Sequence, residues 1–138
     1  MDIQTIISTF VGFILALLTA YLGIVIEKRI SINKAMRNID DELWHIYYGF
    51  YDKEAKKIRR SRLYIFHTPI WDSVVSAGDL LIMQNKHSEY YDQVLAVYDG
   101  LRAIEQMQSV DNEGFKEYID KEVEEIVKQI PPILNREK

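Results

Sequence analysis

The sequence predicts an all-α protein: an N-terminal transmembrane helix followed by a cytoplasmic bundle of four to five helices. Three observations carry this. Ile3 to Ile26 is a run of 24 residues without a charge. From Ile32 onward, apolar residues recur at three- and four-residue steps, the signature of a helical face. No stretch reads as a strand.

The first element, IQTIISTFVGFILALLTAYLGIVI, is long enough as a helix to cross the roughly 30 Å hydrocarbon core of a bilayer. Its polar residues (Gln4, Thr5, Ser8, Thr9, Thr19) lie mostly in the first turns, near headgroups and water. A secretory signal peptide would carry a basic start, a shorter apolar core and a small-x-small cleavage site. This run begins Met1-Asp2 and is followed directly by Glu27-Lys28-Arg29, so it reads as a retained anchor over residues 1–26. Lys28, Arg29, Lys34 and Arg37 follow it closely, and positive charge stays on the cytoplasmic side. The expected topology is a single pass through the cell membrane, with the N-terminus outside and residues 27–138 in the cytoplasm. The lack of cysteine agrees with that compartment. Ser8, Gly12, Ala16 and Ala20, with Gly23 close by, fall on one side of the anchor. Small residues at this spacing let membrane helices approach closely, which points to self-association.

About 110 residues remain for a soluble domain, enough for one small core. A net charge of −4 argues against a general nucleic-acid binder. The charge is unevenly spread: Lys53 to Arg62 (KEAKKIRRSR) holds six basic residues and one acid, Asp111 to Glu125 seven acids and two lysines.

The second element follows from Ile32, Met36, Ile39, Leu43, Ile46 and Phe50, a heptad seam suited to self-bundling or to packing on the chain's own domain. The pattern blurs at Gly49 and resumes as helix through Ala55, Ile58, Leu63 and Phe66. Thr68 as N-cap and Pro69 at the first helical position predict a helix from Pro69 to about Met83, with Ile70, Trp71, Val74, Val75, Leu81 and Ile82 on a broad apolar face. Ser88 is expected to cap a helix to about Gln108, with Tyr91, Val94, Leu95, Tyr98 and Leu101 inward. Ser109 to Gly114 reads as a loop. The last helix is expected over Phe115 to Ile130, with Phe115, Tyr118, Ile119, Val123, Ile126, Val127 and Ile130 inward and Pro131-Pro132 ending it.

No catalytic constellation stands out. There is no cysteine nucleophile, no Gly-rich phosphate loop and no His-x-x-x-His pair, so neither a metal nor a cofactor is expected. His45, His67 and His87 are scattered, and Asp40-Asp41-Glu42 reads as a solvated face. The basic cluster is more informative. On a helix, Lys53, Lys56, Lys57 and Arg60 form one positive face, with Arg59 and Arg62 beside it. It can bind an anionic lipid, pair with the acidic Asp111–Glu125 segment, or hold a phosphate-bearing ligand. In the last case Tyr64, His67 and Trp71 are placed to stack on nucleobases.

The arrangement resembles small CRISPR-associated bacterial membrane effectors, with Ile3–Ile26 as anchor and the helical remainder as sensor. In one such family a membrane segment precedes a small helical domain that binds cyclic tetra-adenylate as an oligomer. In another, a membrane helix joins a divergent HEPN-like bundle that assembles into a pore. The resemblance implies an antiviral, phage-defence effector that is not an enzyme, with the bilayer, copies of itself and cyclic tetra-adenylate or another anionic nucleotide as partners. Lys53, Lys56, Lys57, Arg59, Arg60, Arg62 and Tyr64 would form the ligand site. Arg62-Leu-Tyr-Ile-Phe-His67 also fits the Arg-x4-6-His motif of HEPN ribonucleases, with Leu63 where that family usually has a polar residue. Arg62 and His67 are therefore the catalytic candidates of an alternative ribonuclease reading. A membrane-tethered scaffold without a small ligand is the third.

Overall fold

The first helix, α1, runs unbroken from Ile3 to Phe50, 48 residues, in the computed structural model, which describes residues 2–109 and 113–134. The chain falls into two compact units, residues 1–35 and 36–138.

In the first unit, residues 2–31 are all exposed. The most apolar 18-residue window of α1 has a mean hydropathy of 2.4 with none of it buried, so this helix is long and apolar enough to cross a membrane. Three of its hydroxyls bond within the helix. Ser8 Oγ and Thr9 Oγ1 donate to the Thr5 carbonyl at 3.0 and 2.7 Å, and Thr19 Oγ1 donates to Leu15 O at 2.8 Å. Hydrocarbon demands this of any polar group it surrounds.

The second unit begins with the last turns of α1, where the heptad seam turns inward. Ile39 and Leu43 are wholly buried, Ile46 nearly so, and Met36 and Phe50 are half-buried. Four more helices follow: α2 (Pro69–Ser76), α3 (Leu80–Lys86), α4 (Ser88–Met107) and α5 (Glu113–Leu134). The core is filled by Trp71, Met83, Tyr90, Val94, Val97, Tyr98, Leu101, Ile104, Val123, Val127 and Ile130. Each such apolar side chain adds roughly 1.5–3 kcal/mol by leaving water. Trp71 stacks on Tyr98 with ring centroids 4.4 Å apart, which joins α2 to α4. α4 and α5 meet at Gly100, where an added Cβ would lie 2.7 Å from Ile126 Cδ1.

The structure corrects several sequence expectations. Two short antiparallel strands exist, β1 (Tyr51–Asp52) and β2 (Lys57–Ile58), so residues 51–58 form a hairpin and not a helix. The helix expected from Pro69 to Met83 is two helices, because Gly78 adopts a positive φ of 74° that a continuing helix forbids. Thr68 occupies the N-cap position of α2 without a side-chain cap bond, and Ser88 is the first residue of α4 while His87 holds its N-cap position.

Residues that the period placed inward also move. Val75, Leu81, Phe115 and Tyr118 are exposed, and Tyr91 and Leu95 only half-buried, while Tyr90, Val97 and Ile104 take core positions. α5 continues through Pro131 and Pro132 to Leu134. Each proline removes an N–H that would bond the carbonyl four residues back and crowds that carbonyl, and the added turn buries Ile133 in return. Of the Ser109–Gly114 loop, Val110 to Asn112 lie outside the described residues, and helix resumes at Glu113.

Asp40-Asp41-Glu42 is not one solvated face. Asp41 is exposed, but Asp40 accepts the Tyr90 hydroxyl at 2.6 Å and Glu42 is only 5% exposed. The Glu42 carboxylate accepts the N–H groups of Ile70 (2.7 Å) and Trp71 (3.2 Å) and the hydroxyl of Tyr98 (2.7 Å). It thus supplies the cap that Thr68 does not.

Candidate anion-binding hairpin

The basic cluster is built on the hairpin that follows α1. Register pairs Tyr51 with Ile58 and Asp52 with Lys57. Asp52 Oδ1 accepts the N–H groups of Glu54 (3.0 Å) and Ala55 (3.2 Å), which diverts the chain from the helix at that point. Lys56 closes the turn in the left-handed region at φ 53°, and Arg59 N–H donates to Phe50 O at 2.6 Å. Alternation then does what a helix here does not. It buries Ile58 while leaving Lys57 and the turn lysines in water.

Lys53, Lys56, Lys57 and Arg59 are exposed, and none has a carboxylate within ion-pair distance among the described residues. Arg60 differs, with its Nε 3.9 Å from Asp120 Oδ2 on α5. That contact realises part of the pairing with the acidic segment. Arg62 is exposed.

Beside the hairpin lies an aromatic ladder that the sequence reading missed. Trp44, Tyr47, Tyr48 and Tyr51 follow i, i+3, i+4, i+7 spacing, which is the signal that was available. Trp44 stacks on Tyr48 with centroids 5.3 Å apart, and Tyr47 on Tyr51 at 5.0 Å. Lys53 Nζ sits 4.7 Å from the centroid of the Tyr48 ring, a cation–π contact that ties the hairpin to the ladder.

Tyr64 and Trp71, placed by sequence as stacking platforms, are core residues at 1% and 2% exposure and present no ring to a ligand. The Tyr64 hydroxyl donates to Asp120 Oδ1 at 2.5 Å, and Lys116 Nζ donates to the same oxygen at 2.8 Å and also to the Ser61 carbonyl. Burial, then the bond to Asp120, pushes the Tyr64 phenol up to about 12. Burial alone would raise the Asp120 carboxyl. Donation from Lys116 and Tyr64, helped by the charges of Lys116 and Arg60, outweighs it and holds the group below its ordinary value.

His67 is exposed and lines a cleft of about 300 Å³ with Thr68, Asp72, Arg102 and Glu105. Arg102 is ion-paired with Asp72, and Glu105 accepts the Phe66 N–H at 2.8 Å. Arg102, and not Arg62, is the cation that lines this cleft with His67. His45 and His87 are exposed elsewhere. In the first unit, Ser8, Gly12, Ala16, Ala20 and Gly23 are all exposed, and a Cβ added at Gly12 or Gly23 would meet nothing within 4 Å.

Among the described residues no group of three or more His, Asp or Glu side chains is placed to hold a metal ion. Comparison of the chain with protein-family models, curated proteins and solved structures gives no match.

Proposed function

We propose that this is a single-pass membrane protein whose soluble unit binds an anionic, phosphate-bearing nucleotide on the hairpin of Lys53, Lys56, Lys57 and Arg59. The observation that carries the reading is the concentration of four exposed cations, without carboxylate partners among the described residues, on and directly after one short hairpin. Like charges so close repel one another, and a multivalent anion relieves that repulsion. Lys56 adds to the case. Its left-handed backbone favours glycine or asparagine, and a lysine kept at such a cost fits a charge that is used.

The resemblance to CRISPR-associated effectors supplies the setting. The ligand would be a cyclic oligoadenylate such as cyclic tetra-adenylate, and the outcome a phage-defence action on the cell membrane through oligomerised N-terminal helices. In a symmetric assembly each copy contributes one basic hairpin, and a ring-shaped tetra-anion matches such a ring of patches. The topology is N-terminus outside and residues 27–138 cytoplasmic, supported by Lys28, Arg29, Lys34 and Arg37 directly after the anchor.

The test uses the whole chain in lipid nanodiscs, titrated with fluorescent cyclic tetra-adenylate. Reversal of Lys56 and Lys57 to glutamate abolishes binding and leaves insertion intact. Unchanged binding rules the hairpin out. The ribonuclease alternative is separated by His67→Ala, which would remove RNA cleavage while leaving nucleotide binding alone.

A further inference from the structure

Between the hairpin and α2 the chain bends at Arg62 and Leu63 and then runs, outside any helix, beside α4 and α5 with one open edge. Burial alternates along it: Tyr64 and Phe66 point inward, while Leu63, Ile65 and His67 point out. Its inner edge is paired, but by side chains. Gln108 takes both polar groups of Tyr64, accepting its N–H at 2.6 Å and donating to its carbonyl at 2.8 Å. Two residues on, Glu105 accepts the Phe66 N–H. In an extended chain the residues between, here Ile65, aim their N–H and C=O at the opposite edge. Ile65 makes no hydrogen bond with any described residue, and its side chain is 68% exposed, beside Leu63 at 56%. An open edge carrying apolar side chains is a template for strand addition.

We infer that the Leu63–His67 edge pairs antiparallel with the same edge of a second copy of this chain, centred on Ile65. Charge selects that occupant. The flank before the segment, residues 53–62, carries six cations and one acid, and the flank after it, residues 68–79, carries Asp79 and Asp72, the latter also paired with Arg102, and no cation. Antiparallel pairing brings each basic hairpin to the end of the segment where the partner's α2 begins, twice over by symmetry. The pair supplies partners for both polar groups of Ile65 in each copy. It also sets Leu63 of one copy across from the other's His67. This inference draws on the same cations as the nucleotide reading but does not require it, and it stands if the hairpin binds nothing.

The chain has no cysteine, so a single introduced thiol reports geometry unambiguously. A hydrogen-bonded antiparallel pair holds its Cα atoms about 5.5 Å apart, inside the roughly 4.4–6.8 Å range of a disulfide. Full-length Ile65→Cys in lipid vesicles, oxidised with copper phenanthroline, is expected to run as a covalent dimer on a non-reducing gel. Leu81→Cys, equally exposed at 69% on α3, is the collision control and is expected to stay monomeric. A monomeric Ile65→Cys, or equal cross-linking of the two variants, overturns the inference.

Discussion

The Glu42 carboxylate accepts the backbone N–H of Ile70 at 2.7 Å, so a side chain of α1 caps the N-terminus of α2. The same group receives Trp71 N–H and the Tyr98 hydroxyl, and so ties three helices at one buried point. Glu42→Ala leaves three donors without an acceptor. The expected loss is at least about 3 kcal/mol, since each of the three orphaned groups costs about 1–3 kcal/mol. Glu42→Gln keeps one acceptor oxygen and loses less. Thermal melting of the whole chain in detergent, followed by circular dichroism, checks the order.

Tyr64 and Asp120 set opposite limits on pH stability. The phenol has a raised folded value of about 12, so its contribution is complete below the free tyrosine value of about 10 and is lost as pH climbs from there. That contribution is about 2–3 kcal/mol. Tyr64→Phe is expected to flatten its share of the decline between pH 10 and 12, leaving the share of Tyr98, which is raised in the same direction by burial and its bond to Glu42. Asp120 is held low, so its share is present above about pH 4 and lost as pH falls through the folded value. Melting temperature against pH, for wild type and Tyr64→Phe, reads both limits.

Lys56→Gly relieves the left-handed strain and is expected to raise stability by about 0.5–1 kcal/mol if the backbone penalty dominates. Under the proposed function the same change weakens nucleotide binding. A variant that melts higher and binds less separates the charge of Lys56 from its conformation. A lower melting point would show that the turn does not need φ > 0 there.

Leu15→Arg combined with Leu18→Arg places two charges in the apolar run of α1. At roughly 2.5–3.5 kcal/mol for each arginine near the centre of a spanning helix, the pair strongly opposes insertion. The variant is expected to leave the membrane pellet on carbonate extraction, where the wild type stays.

What could be read from sequence was what a single helical period decides. Ile39, Leu43 and Ile46 of the seam, and Val123, Val127 and Ile130, are buried because nothing local competes with the period. Lys53 to Lys57 misled for the opposite reason. Lysine, glutamate and alanine all favour helix, and only the Asp52 carboxylate, bonding two amides ahead of it, turns the chain. Glu42 was illegible because its partners lie 28, 29 and 56 residues away. The alternation of Leu63 to His67 was present in the sequence, but five residues are too few for a period of two to outweigh a helical background.

Gln108 has a consequence for how far assembly can proceed. An ordinary strand offers two sides, and a chain that docks on one exposes a fresh side for the next, which is how fibres grow. Here the second side is already filled from within the same molecule, by one amide acting as a false neighbour to Tyr64. In the proposed pairing, addition through this segment terminates after a single event, giving a closed couple and no filament.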